Sequence, residues 1–268
     1  MYKTILIIFL LLFLAVPSFA QTVKVESDAI PFASAVNYAA GNAPYSVFCA
    51  DLDGDSDLDL AVASYYDDSV SILKNNGDGT FQAKVGYRVG IGPASVFCAD
   101  LDGDSALDLA LVGFLSFQAS ILKNNGDGTF QTKVDYAVGD HPFSVFCADL
   151  DGDTALDLAV ANMDGDNVSV LKNNGDGTFQ TKVDYAVVDK PWSVFCADLD
   201  GDTALDLAVT NADSDNVSIL INNGDGTFLT KVDYDVGDSP RHLFCADLDG
   251  DLDLDLAVPN FSDGTSLS

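Results

Sequence analysis

Short apolar runs alternate with dense polar clusters along most of the chain, and the alternation itself recurs. From Ser95 a short apolar segment reaches Ala99, a loop crowded with aspartates follows, and the next run, from Leu107 to Val112, is broken only by Asp108. After a variable stretch, Ser120, Ile121, Leu122 and Lys123 lead into Asn125, Gly126, Asp127 and Gly128. That tetrad is hairpin chemistry, because Asn, Asp and Gly accept positive φ. Beyond it Phe130, Val134, Tyr136 and Val138 share one face of an alternating segment, which predicts a strand buried on one side. The unit therefore predicts four strands. No segment has a helical period of useful length, and Pro93, Pro142, Pro191 and Pro240 fall in the connections.

The unit repeats every 49 residues. Cys49, Cys98, Cys147, Cys196 and Cys245 each sit in a version of Phe-Cys-Ala-Asp-Leu-Asp-Gly-Asp. A period near 50 built of short strands is the length of one four-stranded blade, so the expected fold is all-β, a β-propeller of about five blades. Residues 32–38 carry the pattern of a fourth strand ahead of the first complete period, whereas the fifth period stops at Ser268 in its third strand. An N-terminal strand completing the last blade would close the ring and remove its exposed edges. The alternative is a stretch of a larger propeller.

Residues 1–20 stand apart. Lys3 is followed by an apolar run from Ile5 to Val16 and by the small-residue exit Ser18, Phe19, Ala20, the layout of a cleaved export signal. The expected organisation is a leader at 1–20, a short segment at 21–31 and the repeats at 32–268, in a secreted, cell-surface or periplasmic protein with no membrane span after cleavage. The formal charge of −30 repels nucleic acid and anionic lipid and attracts cations. Glu26 is the only glutamate among 42 acidic residues. Turns and cation loops favour the shorter aspartate, which places the charge in loops.

After each first strand comes Asp-x-Asp-Gly-Asp-x-x-x-Asp. Its carboxylates are Asp51, Asp53, Asp55 and Asp59; Asp100, Asp102, Asp104 and Asp108; Asp149, Asp151, Asp153 and Asp157; Asp198, Asp200, Asp202 and Asp206; and Asp247, Asp249, Asp251 and Asp255. Four carboxylates within nine residues repel one another, and a hard divalent cation resolves the repulsion. Positions 1, 3, 5 and 9 supply side chains. Position 7, occupied by Asp57, Ala106, Ala155, Ala204 and Asp253, supplies a backbone carbonyl. The pattern differs from an EF-hand, which needs glycine at position 6, glutamate at position 12 and flanking helices. Ca2+, about five ions, is the expected cofactor; magnesium holds its waters more tightly, and an acidic turn without metal is the plain alternative.

The run Ala-Asp-Leu-Asp-Gly-Asp, then Leu-Asp-Leu-Ala-Val, then Ser-Val-Leu-Lys-Asn-Asn-Gly-Asp-Gly-Thr-Phe, resembles the FG-GAP and VCBS repeats of bacterial secreted proteins and integrin α-chain heads. The resemblance covers residues 32–268 and implies a propeller with calcium between the first and second strands of each blade. Two features depart from it: those propellers often have seven blades, and cysteine here replaces an aliphatic residue in the first strand.

Equivalent points on neighbouring blades lie too far apart for a disulfide, so the cysteines read as free, buried, small hydrophobes. His141 and His242 have no triad arrangement around them, and no phosphate loop or His-Glu-x-x-His is present. The expected function is a calcium-binding adhesion or ligand-binding module without catalytic residues. The alternatives are an extracellular polysaccharide-degrading lyase or hydrolase, or a fragment of a larger surface protein.

The aspartate loops and hairpins belong on one end of the blades and vary little. The opposite end varies freely, and beside the linker prolines it carries Tyr45, Ala94, Phe143, Trp192 and Arg241, with His141 and Lys190 close by and Tyr65, Tyr66, Phe114 and Phe117 in the adjoining loops. Aromatics with a few polar tips suit an extracellular glycan or protein ligand. Tyr45, Phe143, Lys190, Trp192 and Arg241 are the expected ligand face.

Overall fold

A computed structural model describes residues 34–261. The proposed leader and the 21–31 segment lie outside the described residues. Two units are distinguished, residues 1–37 and 38–268; of the first, residues 34–37 form neither helix nor strand.

The second unit is all-β and follows the predicted repeat. The first blade consists of β1 (Pro44–Ala50), β2 (Asp59–Ser64), β3 (Ser69–Leu73) and β4 (Val85–Arg88), paired in that order and antiparallel. The second repeats this as β5 (Pro93–Ala99), β6 (Asp108–Gly113), β7 (Gln118–Leu122) and β8 (Val134–Ala137), and the third as β9 (Pro142–Ala148), β10 (Asp157–Asn162), β11 (Asn167–Leu171) and β12 (Val183–Ala186). The fourth is β13 (Pro191–Ala197), β14 (Asp206–Asn211), β15 (Asn216–Leu220) and β16 (Val232–Asp235). In the fifth, β17 (Phe244–Ala246) pairs with β18 (Asp255–Ala257), and an isolated bridge joins Pro240 to Asn260.

The core lies between successive sheets. Ala50 and Leu52 of the first blade pack with Val96, Cys98, Leu109 and Leu111 of the second, and the same set recurs at the next two junctions. The central strands are buried on both faces, as β6 shows from end to end. That explains their nearly unbroken apolar sequence. The outer strand departs from the expected one-sided burial: Phe130 and Val138 are 8% and 7% exposed, but Val134 is 52% exposed at the rim. The outer tyrosines of the first three blades pack edge-on against the next blade's phenylalanine, Tyr87 on Phe130 at 5.3 Å, Tyr136 on Phe179 at 5.3 Å and Tyr185 on Phe228 at 5.1 Å.

Tyr38 makes the same contact with Phe81 at 5.2 Å, so it stands where the outer strand of a preceding blade would. Closure by residues 32–38 is not part of what is described: 32 and 33 lie outside the described residues, and 38–43 form no strand. Among the described residues no sheet packs on the leading side of β1. Val47 is accordingly 58% exposed, whereas Val96, Val145 and Val194 are 4%, 4% and 3%.

The same difference corrects one expectation about the thiols. All five are free, but Cys49 is exposed and only Cys98, Cys147, Cys196 and Cys245 are buried. Burial pushes the Cys98 thiol up to about 12 and Cys245 up to about 11, and it raises Cys147 and Cys196 as well. Since the thiolate is the reactive form, a disulfide exchange reagent is expected to titrate one thiol in the native protein and five in denaturant. Five fast thiols in the native state would contradict the burial.

Candidate functional site

The aspartate loop folds by local hydrogen bonding. Asp51 at position 1 accepts from Gly54 N at 2.8 Å and Ser56 N at 2.9 Å, and Asp100, Asp149, Asp198 and Asp247 do the same in their loops. The chain turns back through left-handed residues, Gly152 at φ 77° and Thr154 at φ 76° in the third loop. A β-branched residue rarely tolerates that region, so the turn is stabilised from elsewhere.

Positions 1, 3 and 9 converge. Ligand atoms of Asp51, Asp53 and Asp59 all lie within 4.8 Å of one another, as do those of Asp100, Asp102 and Asp108, of Asp149, Asp151 and Asp157, and of Asp198, Asp200 and Asp206. In the fifth loop Asp247, Asp249 and the position-5 residue Asp251 converge instead, all exposed. In the other four loops position 5 does not join the cluster. Asp55, Asp104, Asp153 and Asp202 each accept the backbone N–H of position 7, that of Asp57, Ala106, Ala155 or Ala204. Asp253 N binds Asp251 in the same way.

Position 9 is anchored deeply. Asp108 is fully buried, accepting from Leu101 N at 3.1 Å and Asn124 N at 2.7 Å. Desolvation pushes Asp108 and Asp157 up to about 6 and raises Asp59 and Asp206, the neighbouring loop aspartates adding to the effect. At position 3, one buried carboxylate oxygen of each of Asp53, Asp102 and Asp151 has no hydrogen-bond partner. Clustered carboxylates with an orphaned buried oxygen are a donor set that suits a hard cation, so the clusters could hold metal ions.

A lysine was not anticipated here. Lys74, Lys123 and Lys172 each lie 3.2 Å from the position-3 aspartate of their own blade, Asp53, Asp102 and Asp151. Each also donates to a carbonyl in the next blade's hairpin, that of Asp127, Asp176 or Asp225. A Cβ on Gly128 would lie 2.6 Å from Lys74 Cε, which accounts for glycine at that hairpin position. In the fourth blade Ile221 takes the lysine's place. The hairpin aspartates serve the turn: Asp127 accepts Thr129 Oγ1 at 2.5 Å and Thr129 N at 2.9 Å, and these bonds hold it below the usual carboxylate range.

At the other end of the blades the expected ligand face is contiguous. Ala94 is small, and Tyr45 meets Phe143 across it at 5.7 Å; Phe143 meets Trp192 at 4.2 Å, and the Arg241 guanidinium lies 4.5 Å from the Trp192 ring. Tyr65 joins through Tyr45 and Phe114, at 5.7 and 6.4 Å. His141 packs tilted against Phe114 at 4.5 Å and edge-on against Phe117 at 4.9 Å. The Lys190 ammonium is paired with Asp164, which also lies 3.0 Å from His141 Nδ1. Tyr45, Phe143 and Trp192 border an axial cavity of about 420 Å³ lined by the first strands and by Arg241 and His242 of the fifth repeat. Burial and the neighbouring Arg241 lower His242, leaving it neutral at neutral pH. Asp68, Asp166 and Asp215 on this end are structural, accepting the backbone N–H of Gly92, Lys190 and Ser239 from the next linker.

Successive four-stranded sheets around an axial cavity, with acidic first turns, define a β-propeller. The chain matches the FG-GAP-like repeat at residues 51–111, 149–209 and 198–258 and belongs to that family. Among solved structures it is similar to BBS1N in complex with ARL6DN, with TM-score 0.60, 16% identity and coverage of 84% of this chain and 66% of that one. A protein from Lactobacillus plantarum gives 0.59, 18%, 84% and 69%. Virginiamycin B lyase from Staphylococcus aureus gives 0.54, 13%, 85% and 69%. At these identities the likeness is one of fold, and the chain spans 66 to 69% of those chains. No curated protein matches it.

Proposed function

We propose that the chain is an exported, calcium-loaded β-propeller that binds an extracellular glycan or protein ligand through its aromatic end and does not transform it. The observation carrying this reading is the unbroken series of ring contacts from Tyr65 through Tyr45, Phe143 and Trp192 to Arg241. Different side chains at equivalent positions of a rigid ring make one asymmetric surface. The opposite end repeats nearly the same loop five times and is given over to calcium and stability. Export follows from the leader-like pattern of residues 1–20, and no helix among the described residues is long and apolar enough to cross a membrane.

A glycan and extracellular-matrix array probed in calcium identifies the ligand. A polysaccharide panel assayed for new reducing ends or unsaturated products separates binding from degradation, and turnover of any polymer would overturn the non-enzymatic reading. Truncating an aromatic anchor typically costs 2 kcal/mol or more, about 30-fold in affinity. Trp192→Ala is expected to weaken array binding by about that factor while leaving calcium-dependent melting nearly unchanged. Binding that survives this change but is lost on Asp149→Ala in a folded protein would place the ligand at the acidic end.

A further inference from the structure

Resting on the reading that the aromatic end binds ligand, we propose that Arg241 makes the axial cavity selective for a carboxylate-bearing sugar. All eight described lysines, Lys190 among them, sit within ion-pair distance of an aspartate. Among the described residues no carboxylate lies that close to Arg241, in a chain of 42 acidic residues. Its guanidinium is held instead between two rings, 4.5 Å from Trp192 and 3.6 Å from Phe261.

Stacking occupies the faces of the guanidinium and leaves its N–H edge to hydrogen-bond, the edge that matches a carboxylate. Nε of Arg241 is buried and meets no acceptor among the described residues, so its desolvation has no compensation there. The cavity lining contains no carboxylate among the described residues, so an incoming anion meets no repulsion at contact distance. The chain's overall negative charge acts from further away and is screened beyond about 8 Å at physiological salt. It disfavours a polyanion more than a single acidic residue.

The rest of the lining fits the remainder of a sugar. Ser46, Ser95 and Ser144 accept the backbone N–H of Val96, Val145 and Val194 through their hydroxyl oxygens, which leaves each hydroxyl proton to donate. Phe143 and Trp192 offer aromatic surface to the C–H face of a pyranose ring. A carboxylate on such a ring places anion, hydroxyls and apolar face against matching partners in one cavity.

Trp192 is the only tryptophan, so its fluorescence reports directly on this cavity. The test titrates sodium glucuronate against glucuronamide, the neutral analogue of the same shape, at matched ionic strength in calcium. Glucuronate is expected to bind about tenfold or more tightly, the effect of one charge-assisted pairing. Arg241→Gln should erase the difference and Arg241→Lys should keep part of it, with melting curves confirming that both variants fold. Equal affinity for the two sugars, or a preference that survives Arg241→Gln, overturns the proposal. If glucuronate is silent and the array yields a neutral ligand that quenches Trp192, the binding reading stands and this inference falls. If no array ligand perturbs Trp192, both fall.

Discussion

Chelation of calcium is expected to lower the melting temperature sharply, and added calcium to restore it. Each aspartate loop draws three carboxylates within 4.8 Å, and position 9 is fully buried in the first four loops. A site at tenfold calcium excess contributes about 1.4 kcal/mol by mass action, so five such sites amount to about 7 kcal/mol, against a typical total of about 5–15. The fourth blade should depend most on the ion, because Ile221 replaces the lysine that partly neutralises Asp53, Asp102 and Asp151. Calorimetry in excess chelator checks this, and a superimposable melting curve would refute calcium loading.

The pH dependence in chelator should also invert. Asp108 and Asp157 are raised from 3.8 to about 6. In the metal-free protein the folded state therefore holds a proton that the unfolded chain has already released. The contribution of these two carboxylates to stability is greatest below 3.8 and declines as pH rises to about 6, by on the order of 2 kcal/mol per site, at about 1.4 kcal/mol per pH unit and discounted for partial solvation. In calcium the sign reverses, since binding the ion requires these carboxylates ionised and falling pH displaces it.

The parts of this molecule legible in its sequence are those whose cause is local. The period, the strands and the convergence of positions 1, 3 and 9 follow from residue spacing, and Tyr45, Phe143, Trp192 and Arg241 shared an end of the ring because they share a place in the repeat. What escaped the sequence reading depends on neighbours elsewhere. Cys49 and Val47 have the sequence context of their buried counterparts, yet no sheet among the described residues packs on their side. Position 5, read as a ligand, also caps its own turn in the loops, and only in the fifth does it join the carboxylate cluster, as Asp251. Lys190 has a partner 26 residues away in Asp164, and Lys74 reaches a hairpin carbonyl 53 residues on.

Asn173 reaches further still, 72 residues back, as Asn124 and Asn222 do in their blades, and Asn173→Ala is expected to destabilise the protein by about 3 kcal/mol. Composition assigns this asparagine to a turn. In the structure it is 2% exposed. Its amide nitrogen donates to Leu101 O of the preceding blade at 2.8 Å and to Leu156 O at 3.0 Å, while its oxygen accepts from Gly175 N at 3.0 Å and Gly177 N at 3.2 Å. Alanine leaves these buried backbone groups without the side chain's bonds, at about 1–3 kcal/mol for each group that water does not reach. The chain contains its own control. Asn75 holds the same turn, through Gly77 N at 3.0 Å and Leu58 O at 3.1 Å, but among the described residues makes no bond to a preceding blade. Asn75→Ala, at a partly exposed position, should cost less than half as much in denaturant unfolding. Equal losses at the two positions would mean that the turn, and not the bond to Leu101, is what the asparagine stabilises.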